Sequence, residues 1–385
     1  MRFLQSAQEL ARGARTWRSR ALGGRNVLKN ALAWGLLLLG AFSSDAMMDG
    51  GAEVLPPPPP LFFTHPLNLG VEAYSMLQDR EGFLWIVTAH SGMAKYDGRE
   101  VRFLKCEPGK LSTSTVVAAR EDHRGVLWIA TAGGGLNAYD KETDSVQIFR
   151  HQEDDPSSLN SDTFSYRNHG NQVLLEDRQG RLWCGTNRGV DRLESDDRRG
   201  VFFVHVPFAD GAPRMVHALL EDRRGRIWVG TDKGLARIDA AGERAESVAE
   251  GLGGILKGHP VFCLLEDRQG NLWTGGTTGL HRFDASGDVR HISAGNRAPG
   301  MPDMAVNSLT EDAEGRLILG STMGPPGMWR WDPETGRCAV YRHDPSDVRS
   351  LGTSALPVRS SFLDRQGTLW VLHGTGKIAL GSFSG

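Results

Sequence analysis

The chain has 385 residues, enough for one large domain or two or three average ones. Its 44 Lys and Arg nearly balance 46 Asp and Glu, and a formal charge of −2 excludes a general electrostatic pull toward nucleic acid. Charged residues at 23% and hydrophobic ones at 39% suit a soluble globular protein, while 48 glycines among short apolar runs point to many tight turns and an all-β fold.

Residues 1–46 differ from the rest. Arg2, Arg12, Arg15, Arg18, Arg20, Arg25 and Lys29 form a basic lead opposed only by Glu9, followed by the apolar run Ala31–Phe42 and then small residues up to Ala46. That run is short for a bilayer span and fits a signal-peptide core, with cleavage expected after Ala46. An uncleaved membrane anchor is the alternative, and either one places the body in the periplasm or outside the cell. Residues 47–60 end in the five prolines Pro56–Pro60, a stiff extended spacer.

From residue 61 onward one motif repeats. LEDRQGRLWCGTNRGVDRLE from Leu175, LEDRRGRIWVGTDKGLARID from Leu220 and LEDRQGNLWTGGTTGLHRFD from Leu265 are close copies. Further copies start at Leu77, near residue 120, at Thr310 and at Phe362, the last two degenerate. The leading acids Asp79, Asp122, Asp177, Asp222, Asp267, Asp312 and Asp364 are spaced by 43, 55, 45, 45, 45 and 52 residues. A period near 45 matches four short strands and their turns, so residues 61–385 are expected to form a single seven-bladed β-propeller. In the motif an apolar inner strand leads to an Asp-Arg-x-Gly turn, then a Leu-Trp-x-Gly-Thr strand whose Trp fills the wedge between sheets, with Ile318 in place of the Trp in the sixth copy. The seventh copy has too little sequence after Leu380 for a fourth strand. Leu61-Phe62-Phe63-Thr64-His65 resembles the fourth strands of other copies, such as Phe202-Phe203-Val204-His205, and is expected to close the last blade.

These residues resemble the two-component-regulator propeller family, the periplasmic sensor region of hybrid histidine kinases. The resemblance covers residues 61–380, including Phe63-Thr64-His65 and the stretches His151–Leu159 and His343–Leu351, which look like its inter-blade loops. It implies an extracytoplasmic sensor propeller without cofactor, taking a small polar ligand such as a glycan fragment. Sensors of this family carry a second propeller, an immunoglobulin-like domain, a transmembrane helix and kinase modules. None follows here, so no enzymatic activity is expected of the chain itself. The expected partners are an oligosaccharide-like ligand, a second copy or downstream kinase modules, with no nucleic acid and no membrane contact by the propeller. The alternatives are a carbohydrate-active lyase or hydrolase on a propeller scaffold and a stand-alone interaction scaffold.

No catalytic or metal-binding motif stands out. The seven repeated Asp serve turns, and the sialidase Asp box fails on spacing and lacks its Ser. Cys106, Cys184, Cys263 and Cys338 are too scattered for a zinc site, Cys184 and Cys263 lying in apolar runs, with a Cys106–Cys338 bridge left open. Function is therefore expected where the copies disagree, in the loops at one mouth of the central channel. The candidates are His90, Asn187, Arg188, Asp232, Lys233, Thr277, Thr278 and His373, with Tyr166, Arg167 and His169 of the long loop Asn160–Asn171. Their Arg, Asp, Asn and aromatic groups suit a polar ligand.

Overall fold

The computed structural model describes residues 61–165, 172–196, 200–248, 256–284, 288–292, 304–321, 327–347, 349–351, 358–374 and 376–383. Every described residue lies within the unit Pro59–Gly385. The export segment and proline spacer expected at 1–60 therefore lie outside the described residues, as do Tyr166, Arg167 and His169.

Among the described residues, twenty-eight strands make seven four-stranded antiparallel sheets. Blade one is β2 (Ala73–Gln78), β3 (Leu84–Thr88), β4 (Met93–Tyr96) and β5 (Val101–Leu104). Blade two is β6 (Val116–Glu121) to β9 (Ser145–Phe149), and blade three is β10 (Leu174–Glu176) to β13 (Gly200–Val206). Blade four is β14 (Val216–Glu221) to β17 (Ala245–Ser247), and blade five is β18 (Val261–Glu266) to β21 (Val289–Ile292). Blade six is β22 (Ser308–Glu311) to β25 (Cys338–Tyr341). Blade seven is β26 (Val358–Leu363), β27 (Leu369–His373) and β28 (Lys377–Phe383), completed by β1 (Leu61–Asn68), which pairs antiparallel with β28 as expected. The first strands of successive blades neighbour one another around the ring and line its channel.

The repeated Asp does more than cap a turn. In all seven blades one carboxylate oxygen accepts the backbone N–H four residues on, at 2.8–3.0 Å, as from Phe83 to Asp79 and Thr368 to Asp364. The turn glycine donates to the Asp carbonyl and takes positive φ, 74° at Gly225 for example. The second carboxylate oxygen accepts the indole N–H of the wedge Trp in six blades, at 2.8–3.0 Å. Each Asp is thus buried yet fully bonded, and it fixes the rotamer of the ring that fills the gap to the next blade. Blade six has Ile318 where the Trp should stand, and there Arg330 of β24 (Met328–Trp331) donates to Asp312 at 2.7 Å instead.

A second set of contacts runs around the face that carries these turns. The N–H of the residue after each Asp bonds the acid ending the next blade's inner strand: Arg80 to Glu121, His123 to Glu176, Arg178 to Glu221, Arg223 to Glu266 and Arg268 to Glu311. Arg365 reaches Gln78 at 3.2 Å in the same way, which closes the circle from blade seven to blade one. Ala313 and Leu363 interrupt the pattern at the six–seven junction, where the Thr310 hydroxyl donates to the Ser361 carbonyl at 2.8 Å. The four cysteines are all free, with Cys184 and Cys263 buried, so the structure holds no Cys106–Cys338 bridge.

Candidate functional site

The other face carries the loops between second and third strands together with the connections between blades. The link is direct. The N–H groups of Ala89, Ala132, Asn187, Asp232 and Thr277 donate to Glu72, Thr115, Thr163, Met215 and Pro260, carbonyls of the segments leading into the inner strands, at 2.9–3.2 Å. In blades one to four the threonine before the loop bonds across its turn, as Thr88 Oγ1 to Gly92 O at 2.7 Å and Thr231 Oγ1 to Gly234 O at 2.8 Å. Backbone and hydroxyl groups thus hold the loops, leaving variable side chains to present chemistry.

Of the expected site residues, His90, Arg188, Lys233 and Thr277 are exposed on this face. Asn187, Asp232 and Thr278 are half-buried, and Asp232 takes up part of its capacity by accepting the Met215 N–H at 3.1 Å. His373 corrects the expectation. It is the last residue of β27 and is buried, because it occupies the inward position that a threonine holds in blades one to four. The structure brings Asp232 and Lys233 together, 3.7 Å apart, while His90, Asn187 and Thr277 belong to blades one, three and five.

Lys233 also lines a cleft of about 850 Å³ between the connections that precede and follow blade four. Phe208 and Ala209 form one wall, running beside β17 with Ala245 paired to Phe208. Arg214 lies over the Phe208 ring at 5.1 Å and pairs with Asp210, and Lys257 stands on the far side. Arg214 and Lys257 escaped the sequence reading. Both lie in connections that lead into inner strands, so pairing each loop with its adjoining connection would have found them.

The long blade-two to blade-three connection is anchored at both ends of its undescribed part. Phe164 is fully buried, and Ser165 Oγ lies 3.0 Å from His217 Nδ1, whose ring meets Phe262 edge-on at 5.4 Å. Past the gap, the Gln172 side-chain amide donates to Leu264 O at 2.7 Å and accepts from Leu264 N at 2.9 Å. One glutamine from blade three thereby satisfies the open inner edge of blade five.

The start of this connection is held by Asp191, which accepts Asn160 N–H and His205 Nδ1, both at 2.8 Å. Burial pushes the Asp191 carboxyl up, against the pull of those two donors, while the bond to Asp191 pushes the His205 imidazole up despite its own burial. Both groups hold their protons more tightly folded than unfolded. Their contribution is present below the unfolded values and fades as pH rises through the folded ones. For His205 the fall starts above about pH 6.5. Thermal unfolding of the wild type should therefore drop from pH 6 toward pH 8.5 more steeply than that of His205→Gln, and parallel curves would contradict this account.

Three stretches, residues 165–188, 211–233 and 255–278, match the family model described as two component regulator propeller. The extracellular domain of the hybrid two component system BT3049 from B. thetaiotaomicron superposes with a TM-score of 0.66 at 21% identity, over 84% of this chain and 42% of its own. That of BT4673 from the same organism gives 0.64 at 20%, over 84% and 40%. Virginiamycin B lyase from Staphylococcus aureus gives 0.62 at 13%, over 84% and 100%. At such identities the likeness to these structures is one of fold, and the chain spans about two-fifths of the length of the two extracellular domains. No curated protein sequence matches the chain. The molecule is a seven-bladed propeller in which three stretches carry the two component regulator propeller repeat.

Proposed function

We propose that this chain is the ligand-sensing propeller of an extracytoplasmic signalling system, exported by residues 1–46 and carried on the 47–60 spacer. Its ligand is a polar molecule such as a glycan fragment, and its output is coupling to kinase modules. The observation that carries this reading is the contrast between the two faces. One repeats its Asp, Arg and Glu contacts blade after blade, and the other holds differing side chains on a hydrogen-bonded ring of loops. The cleft beside Lys233 fits the ligand chemistry, having cations and carboxylates along an aromatic wall. The family repeats and the extracellular domains of similar fold support the sensing role.

A thermal-shift screen against oligosaccharides tests it. A binding glycan should raise Tm by about 2 °C or more at ten times Kd, and Lys233→Ala with Lys257→Ala should remove the effect. A screen in which no glycan stabilises the protein would sink the glycan assignment. The catalytic alternative has the Ser165–His217 contact behind it. A lyase or hydrolase would show new reducing ends in the same mixtures, and we expect none.

A further inference from the structure

The inner strands carry one residue that breaks their own pattern. The position opposite the wedge Trp on each first strand is Leu77, Leu175, Leu220 or Leu265 in four blades, with Thr310 opposite Ile318 and Phe362 opposite Trp370 in two others. In blade two it is Arg120, opposite Trp128. A guanidinium therefore stands where the repeat packs a neutral side chain.

Arg120 lines a cavity of about 410 Å³ among the first strands of blades two, three and four, toward the Asp-turn end of the channel and away from the variable loops. Leu174, Leu175, Leu219 and Leu220 supply apolar walls, and the Gln172 amide lies on the same lining. The other charged groups there are already engaged. Glu176 accepts the His123 backbone N–H at 2.9 Å and ring nitrogen at 2.5 Å, and Glu221 accepts the Arg178 N–H at 2.9 Å. Asp177 holds Trp183 and Arg181, and the Arg178 guanidinium donates to Arg223 O at 2.9 Å. Among the described residues no carboxylate or carbonyl bonds the Arg120 side chain. The Arg120 side chain is exposed to the channel; the strands around it lower its basicity, and only the charge of Glu176, beyond ion-pair distance, pulls the other way.

We infer that the cavity beside Arg120 is a binding site for a small monocarboxylate with an apolar body. A single guanidinium neutralises one negative charge and offers a planar pair of donors that matches a carboxylate. The leucine walls accept the carbon skeleton, and a doubly charged phosphate would face Glu176 and Glu221 with one charge uncompensated. The site is separate from the Lys233 cleft, so either can fail alone.

The test uses the whole chain with sodium benzoate, benzyl alcohol and sodium phosphate as probes, read by thermal shift and calorimetry. Benzoate should raise Tm by about 2 °C at ten times its Kd, with the alcohol and phosphate giving less than half of that. Arg120→Leu, which restores the commonest residue of this position, should raise the Tm of the free protein and abolish the benzoate response. Arg120→Gln, nearer in shape, should also abolish the response and covers the case of a Leu variant that misfolds. Lys233→Ala should keep it. No benzoate shift, an equal shift with phosphate, or a shift surviving in either Arg120 variant overturns the proposal, as does loss of the response in Lys233→Ala.

Discussion

Arg330→Leu is expected to destabilise the propeller by about 3–5 kcal/mol, a cost typical of leaving one partner of a buried ion pair alone. The Arg330 side chain is 1% exposed and Asp312 is fully buried, so the orphaned carboxylate could not reach water. The same arginine of the motif behaves differently elsewhere. Arg192 and Arg282 lie over the faces of Trp183 and Trp273 at 5.4 and 5.8 Å, while those indoles bond the turn Asp. Ile318 leaves the place of the indole N–H empty, and Arg330 turns inward to fill it, also meeting Glu314 at 2.9 Å. Adding Ile318→Trp to Arg330→Leu should therefore recover most of the loss. Blade seven already shows the arrangement this creates, Trp370 opposite Leu380 with its indole on Asp364 at 2.8 Å. A double-mutant cycle in urea should give a coupling of about 3 kcal/mol. Additive losses would mean that Arg330 acts through packing or Glu314 rather than as the substitute donor.

The case of Arg330 also shows what the sequence could carry. Seven Asp-x-x-Gly turns at one period give the blade count, because a turn glycine and a wedge Trp have few uses outside this architecture. The ring closure could be read from Leu61–His65 because a fourth strand was missing at the other end. The Asp–indole bond was not legible. A fixed spacing of six residues between Asp and Trp follows equally from a two-residue turn and from a side-chain contact. Loop membership was legible for Lys233 and Arg188, which follow a turn signal, and not for His373, which sits two positions earlier, inside a strand that buries its side chain. Arg120 is the opposite case. Its difference from Leu175 and Leu220 was visible in the aligned copies, but only the cavity and the engaged neighbours give the difference a meaning.

Beginning the chain at Leu69 should lower Tm by about 10 °C or more and drive self-association. The deletion removes β1, whose pairing with β28 runs from Leu61 opposite Phe383 to Asn68 opposite Lys377 and shifts register between Thr64 and Leu67, around the N–H-less Pro66. Two closures join blade seven to the rest of the ring, and they are unequal. The inner one joins the first strands of blades seven and one side by side, with Arg359 on Glu72 at 2.5 Å and the Arg365 N–H on Gln78 at 3.2 Å, polar contacts at partly exposed side chains that contribute little each. The outer one is a ladder of backbone hydrogen bonds worth about 1 kcal/mol apiece. Without β1 the edge of β28 is open, and an open edge pairs with whatever strand it meets. The truncated chain should therefore appear as dimers or larger species by light scattering. A peptide of residues 61–68 added in trans should restore the monomer and move Tm back toward that of the full chain. A truncated chain that stays monomeric, with Tm within about 2 °C of the parent, would show that the first-strand contacts alone close the ring.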